Sequence, residues 1–182
     1  NAYVPLMPAF VGEVLHGDAR TVGTLISCAG LGAVVGTVLL AARRGMQHLA
    51  AFLRVAQLVG AVALTLFALS SSVWLCHMLI VLVGFGMILV GACCNTLLQT
   101  IVADDKRGRV MSLYAAAFIG VGPIGALVAG QIAEAFGVQR AFLLNGALCL
   151  LLALLLHAHR FRLEQMVQPY VRTRSGTGRV AQ

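Results

Sequence analysis

Uncharged runs set the rhythm of this chain. Thr21 to Ala42 passes 22 residues without Asp, Glu, Lys or Arg and closes on Arg43-Arg44. Val55 to Ala103 passes 49 such residues, too many for one crossing, and Ser70-Ser71-Ser72 breaks it with a natural turn. Val110 to Ala133 passes 24 before Glu134, and Ala141 to Leu156 passes 16 before His157, His159 and Arg160. A helix that crosses a hydrocarbon layer of about 30 Å needs about 20 mostly apolar residues. The pattern therefore predicts spans near 20–42, 52–70, 74–99, 110–134 and 140–159, with Trp74 as an interfacial anchor. Ahead of them, Ala2 to Gly12 holds only 11 uncharged residues before Glu13. At about 1.5 Å per residue that is too short to cross. Residues 1–15 are accordingly predicted to be a truncated span, and the chain to be a fragment. The expected fold class is all-α integral membrane: a six-helix bundle with its first helix truncated.

Composition agrees. The chain of 182 residues is 60% hydrophobic and 10% charged, where a soluble domain is about half apolar and a quarter charged. The net charge of +7 raises the question of nucleic acid, and the placement of the basic residues answers it. Loops alternate sides along the chain. One side collects Arg43, Arg44, Arg54, Lys106, Arg107, Arg109 and the five arginines from Arg160 onward, 11 in all, and the other only Arg20 and Arg140. That bias makes the arginine-rich side cytoplasmic and assigns these residues to topology and lipid headgroups, with the bilayer rather than nucleic acid as partner. The membrane domain is expected over 1–162, with a disordered basic cytoplasmic tail at 163–182. The five cysteines all lie in apolar runs and read as small packing residues. His157-x-His159 lacks a third ligand, so no metal site is expected. No Ser/His, Asp/Asp or His/Glu constellation stands at membrane depth, so no catalytic residue and no cofactor is expected either.

The densest charge is "VADDKRGRV", Val102 to Val110. Asp104 and Asp105 precede a helix, where the dipole favours carboxylates. Lys106, Arg107 and Arg109 suit anionic headgroups. One Gly, Gly108, cannot make a phosphate loop. The following span carries Gly120, Gly122, Pro123, Gly125 and Gly130, a series suited to close helix packing and a kink. Uncharged polar residues at depth should face a cavity or a partner helix. Asn95 and Gln99 share a face at i, i+4, and with Tyr114 and Gln131 they are the substrate-cavity candidates. His77, beside Trp74, reads as interfacial. Asn145 lies in the most Leu-rich span and is expected to face lipid rather than substrate. No Asp, Glu, Lys or Arg lies deep in a span, so a proton-titrating group at depth would have to come from outside this sequence.

"AGLGAVVG" from Ala29 and "IGVGPIGA" from Ile119 align at an offset of 90, through Gly30 with Gly120 and Gly32 with Gly122. A repeat of that length holds three spans, which inverts the second copy. The stretch from Asn95 to Gly137, with Asn95, Gln99, Arg107-Gly108-Arg109-Val110, Pro123, Gly125 and Gly130, resembles the major facilitator superfamily, in its branch of enterobactin-type exporters and multidrug efflux proteins. "GTVLLAARRGMQH" resembles a degenerate copy of that family's cytoplasmic gating motif, with Ala41-Ala42 where an Asp is usual. The resemblance implies the C-terminal half of a twelve-helix fold, made of two inverted three-helix repeats. It implies a secondary active exporter of a small molecule such as a siderophore or drug, proton-coupled, in the cytoplasmic membrane, whose N-terminal half lies outside this sequence. Arg43, Arg44, Asp104, Asp105, Arg107, Gly108 and Arg109 would serve its cytoplasmic gate. The competing expectation is a non-transporting polytopic protein: an assembly, sensor or interaction module.

Overall fold

A computed structural model describes residues 3–42 and 49–158. Arg43, Arg44, His159 and the basic tail lie outside the described residues. The described chain forms six helices: α1 (Tyr3–Glu13), α2 (Ala19–Ala42), α3 (Leu49–Leu69), α4 (Val73–Ile101), α5 (Arg107–Phe136) and α6 (Val138–Ala158). Five of them, α2 to α6, are long and apolar enough to cross a membrane. The turns between them are chemically specified. Asp18 accepts hydrogen bonds from the Thr21 backbone N–H at 2.9 Å and the Thr21 hydroxyl at 3.0 Å, capping α2. Those two bonds hold the exposed Asp18 carboxyl below its ordinary value. Gly137 sits at φ +89°, open to glycine and strained for other residues, and its N–H closes α5 on the Ala133 carbonyl at 2.8 Å.

Glycine decides which helices touch. α4 is the centre, with α2 on one side and α3 on the other. A Cβ added at Gly32 would collide with the Val81 carbonyl, and one at Gly84 with the Ala29 carbonyl, so α2 and α4 meet backbone to backbone. On the other side a Cβ at Gly86 would stand 2.7 Å from the Ala56 carbonyl oxygen, and one at Gly60 only 3.3 Å from the Gly86 Cα. α6 packs on α3 where Gly146 meets Thr65. Lipid is as apolar as a side-chain core, so such close backbone approach supplies much of the attraction between helices.

At the arginine-poor end the rings of Phe10 (α1), Phe67 (α3) and Phe142 (α6) form a node, with centroids 4.9 Å (Phe10–Phe67), 4.7 Å (Phe10–Phe142) and 5.7 Å (Phe67–Phe142) apart. All three are fully buried. The Gln139 amide donates to the Ala68 carbonyl at 3.1 Å beside them. His77 Nδ1 donates to the Val73 carbonyl at 2.7 Å, and its Nε2 lies 2.9 Å from the Thr24 hydroxyl. His77 therefore braces α4 against α2 near the end where Trp74 stands 80% exposed.

α5 behaves differently from the helix packing expected of its glycines. Within the described residues, open space surrounds the Cβ position at Gly120, Gly122 and Gly130. The helix runs through Pro123 without interruption, leans mainly on α6 and α1, and touches α4 lightly. Its first turn begins at Arg107, so Arg107, Gly108 and Arg109 are helical rather than loop.

Candidate functional site

A half-open cavity of about 640 Å³ lies between α3, α4, α5 and α6, and Tyr3 of α1 also lines it. Its wall runs from Ala56 to Leu64 on α3, Val83 to Gly91 on α4, Tyr114 to Gly125 on α5 and Asn145 to Leu152 on α6. At 1.5 Å per residue, those stretches are about 10–16 Å long. Among the described residues the wall is mostly apolar and holds no Asp, Glu, Lys or Arg. Its hydrogen-bonding groups are neutral: Gln57, Asn145 and the hydroxyls of Tyr3 and Tyr114.

Each is set by its helix. The Tyr114 hydroxyl donates to the Gly91 carbonyl at 3.3 Å. The same ring stacks on Phe118, centroids 5.8 Å apart, and the pair makes an aromatic wall. Asn145 precedes Gly146, which packs on α3, so the cavity-facing side of α6 carries the amide; Cys149, a turn on, donates its thiol to Asn145 Oδ1 at 3.9 Å. The exposed face of α6 carries Leu148, Leu151 and Leu155.

Of the sequence-predicted cavity residues, Tyr114 lines this cavity, and Asn95, Gln99 and Gln131 do not. Asn95 and Gln99 are brought together instead: Gln99 Nε2 donates to Asn95 Oδ1 at 3.1 Å near the arginine-rich end of α4. Gln131 lies exposed on α5, far from that pair along the helix. Asn145, expected to face lipid, lines the cavity. Gln57 was not among the predicted residues, although its signal was legible: it is the one amide in the apolar run from Val55 to Leu69. Asn145 carried no such signal, because a helix that is apolar all round does not show which face is covered.

At the arginine-rich end, the half-buried Arg107 pairs with Asp104 three residues earlier. Lys106 occupies the cap position of α5 and makes no side-chain cap. Asp104, Asp105, Gly108 and Arg109 are exposed. Among the described residues no group of three or more His, Cys, Asp or Glu is placed to hold a metal ion.

Five apolar helices of spanning length in one bundle make this a multi-pass membrane protein. Residues 1–175 match the family model described as transmembrane secretion effector, and the chain belongs to that family of the major facilitator superfamily. No curated protein and no solved structure matches it.

Proposed function

We propose that this chain is the C-terminal half of a secondary active exporter, working by alternating access in the cytoplasmic membrane. The observation that carries this reading is the family match over residues 1–175 on a bundle with five spanning helices. The two three-helix units, α1–α3 and α4–α6, would be inverted repeats, with substrate taken between this half and an N-terminal half. Residues 1–162 would be the membrane domain, and 163–182 a cytoplasmic tail. A small molecule such as a siderophore or drug is the proposed cargo. The proposed drive is a proton gradient, with the titrating group in the N-terminal half, since no carboxylate stands at depth here.

Within this reading the residues divide by position. Asn95 and Gln99, hydrogen-bonded to each other on α4, would exchange that bond for polar groups of the cargo. Tyr114 and Gln131 on α5 are the further cargo contacts. Arg43, Arg44, Asp104, Asp105, Gly108 and Arg109 would form the cytoplasmic gate around Arg107. The Arg107 guanidinium, paired locally with Asp104, would swap to acidic groups of the other half when the cytoplasmic side closes. Pairs made in one access state and broken in the other bias the rocking equilibrium.

The test is efflux by the full-length protein in proteoliposomes, with a panel of siderophores and lipophilic cations. Movement of a cargo that Arg107→Glu slows at least several-fold supports the reading. No movement of any cargo, with or without a proton gradient, would leave the non-transporting module in its place.

A further inference from the structure

Polar groups on the wall of the cavity stand at two levels along the bundle. Gly146 of α6 meets Thr65 of α3, so Asn145 lies level with the α3 turn that holds Leu64. Gln57 precedes Thr65 on α3 by about two turns, which is about 12 Å toward the arginine-rich end. Gly86 of α4 meets Ala56 and Gly60 of α3, and Gly91 stands about 7 Å beyond Gly86 toward that same end. The Tyr114 hydroxyl, on the Gly91 carbonyl, is therefore within about a turn of the Gln57 level. Between the two levels the wall is apolar, with Ala61, Leu64, Val83 and Met87. Phe118, stacked on Tyr114, adds a flat aromatic face from α5.

Hydrogen-bonding capacity is left over at both levels. Among the described residues no hydrogen bond reaches the Gln57 amide. Asn145 Oδ1 accepts from the Cys149 thiol, while its NH2 donates to none of the described residues. The Tyr114 hydroxyl donates to Gly91, and its oxygen can still accept. Amides without partners at membrane depth are costly, and a ligand with matching groups offsets that cost. An ionised ligand would shed its water against apolar side chains, with no counter-charge on the described wall. That costs far more than burying a neutral polar group that finds a partner.

We propose that this cavity is a cargo subsite for an uncharged, elongated, lipophilic molecule with hydrogen-bonding groups about 12 Å apart. Gln57 and Tyr114 meet one group, Asn145 meets the other, and Gln57 and Asn145 determine specificity. The proposal rests on the exporter reading above and narrows it, setting neutral lipophiles ahead of charged chelators and lipophilic cations. A volume of about 640 Å³ falls in the range of about 300–1,000 Å³ that holds drug-sized ligands. A ring in the cargo would lie against Tyr114 and Phe118, where aromatic faces stack.

The test is equilibrium photolabelling of the full-length protein in proteoliposomes without an ion gradient, which reads binding rather than transport. Two benzophenones serve as probes, each with a para three-carbon chain, ended in one by an uncharged N-butylcarboxamide and in the other by trimethylammonium. The carboxamide should half-saturate at a concentration at least ten-fold below the cation. Mass spectrometry should map its label to Leu64 and Met87 on the cavity wall rather than to the exposed Leu148 and Leu151. Gln57→Leu and Asn145→Leu should each weaken carboxamide labelling at least several-fold. Gln57→Glu supplies a counter-charge and should raise cation labelling at least ten-fold, a gain that a misfolded variant does not show. Four outcomes overturn the proposal: equal labelling by the two probes, label spread evenly over the lipid-facing leucines, native labelling in both Leu variants, or no cation gain in Gln57→Glu. The same pair then joins the efflux panel. Cavity labelling without efflux sinks the exporter reading and leaves the site, whereas efflux without cavity labelling does the reverse.

Discussion

α2 and α5 are both long apolar helices, and each carries a matching pair of glycines: Gly30 and Gly32 in one, Gly120 and Gly122 in the other. The structure treats the second members of these pairs oppositely, while Gly30 and Gly120 both face open space among the described residues. Gly32 lies against the Val81 backbone, and Gly84 of α4 answers it against Ala29. Gly120 and Gly122 face open space. A glycine is therefore no packing residue by itself. It becomes one when the neighbour's backbone comes close enough that a Cβ has nowhere to go. α2 is locked by that rule, and α5 is propped by α6 and α1.

The sharpest way to break this contrast acts on what holds the loose side in place. Phe142→Ala opens a hole between Phe10 and Phe67, and it should cost about 4 kcal/mol, read as lost thermal stability in nanodiscs and faster proteolysis of α1 and α6. Gly84→Ala pushes a methyl into the Ala29 carbonyl and should cost about 3 kcal/mol, with α2 separating from α4 by cysteine cross-linking. Should Gly84→Ala prove silent, the lock on α2 is not glycine. Tyr114→Phe removes the one described hydrogen bond between α5 and α4 and should cost about 1 kcal/mol, with faster amide exchange in the first turns of α5 as its sign. Gly120→Ala should change stability by less than about 0.5 kcal/mol; a loss as large as that of Gly84→Ala would mean that α5 is packed as tightly as α2.

The cap on α2 adds a pH signature of small size. Hydrogen bonds from Thr21 lower the Asp18 carboxyl in the folded chain, so its contribution is present above the unfolded carboxylate value and is lost as pH falls through the lowered one. Protection of the Thr21 amide, relative to its intrinsic exchange rate, should fall over that acidic window in the native protein and change little across it in Asp18→Ala.

Hydropathy located the helices to within about a turn, because a bilayer imposes a length on any apolar run. It placed the starts of all five spanning helices late. α5 begins at Arg107, where the uncharged run begins at Val110, and α4 runs on to Ile101, past Gln99. An apolar run marks the hydrocarbon, whereas a helix continues into the headgroups, where arginines extend their charged ends to water. The site was less legible. Tyr114 could be singled out as a polar ring at depth, and Asn95 with Gln99 as a pair on one face. Asn145 could not, since Leu surrounds it in sequence while α3 and the cavity flank it in space.

The sequence by itself determined the class of this protein: how many helices it forms, which are long enough to cross, and which ends carry the basic residues. Those are one-dimensional properties, set by run length and by the cost of charge in hydrocarbon. The tertiary structure alone decided which glycines lock, that three phenylalanines from three helices meet, and that Gln57 and Asn145 line one cavity. Each of these depends on which face a helix turns to its neighbour. In helices apolar on every side no sequence period encodes that choice; it is made where two backbones can come into contact.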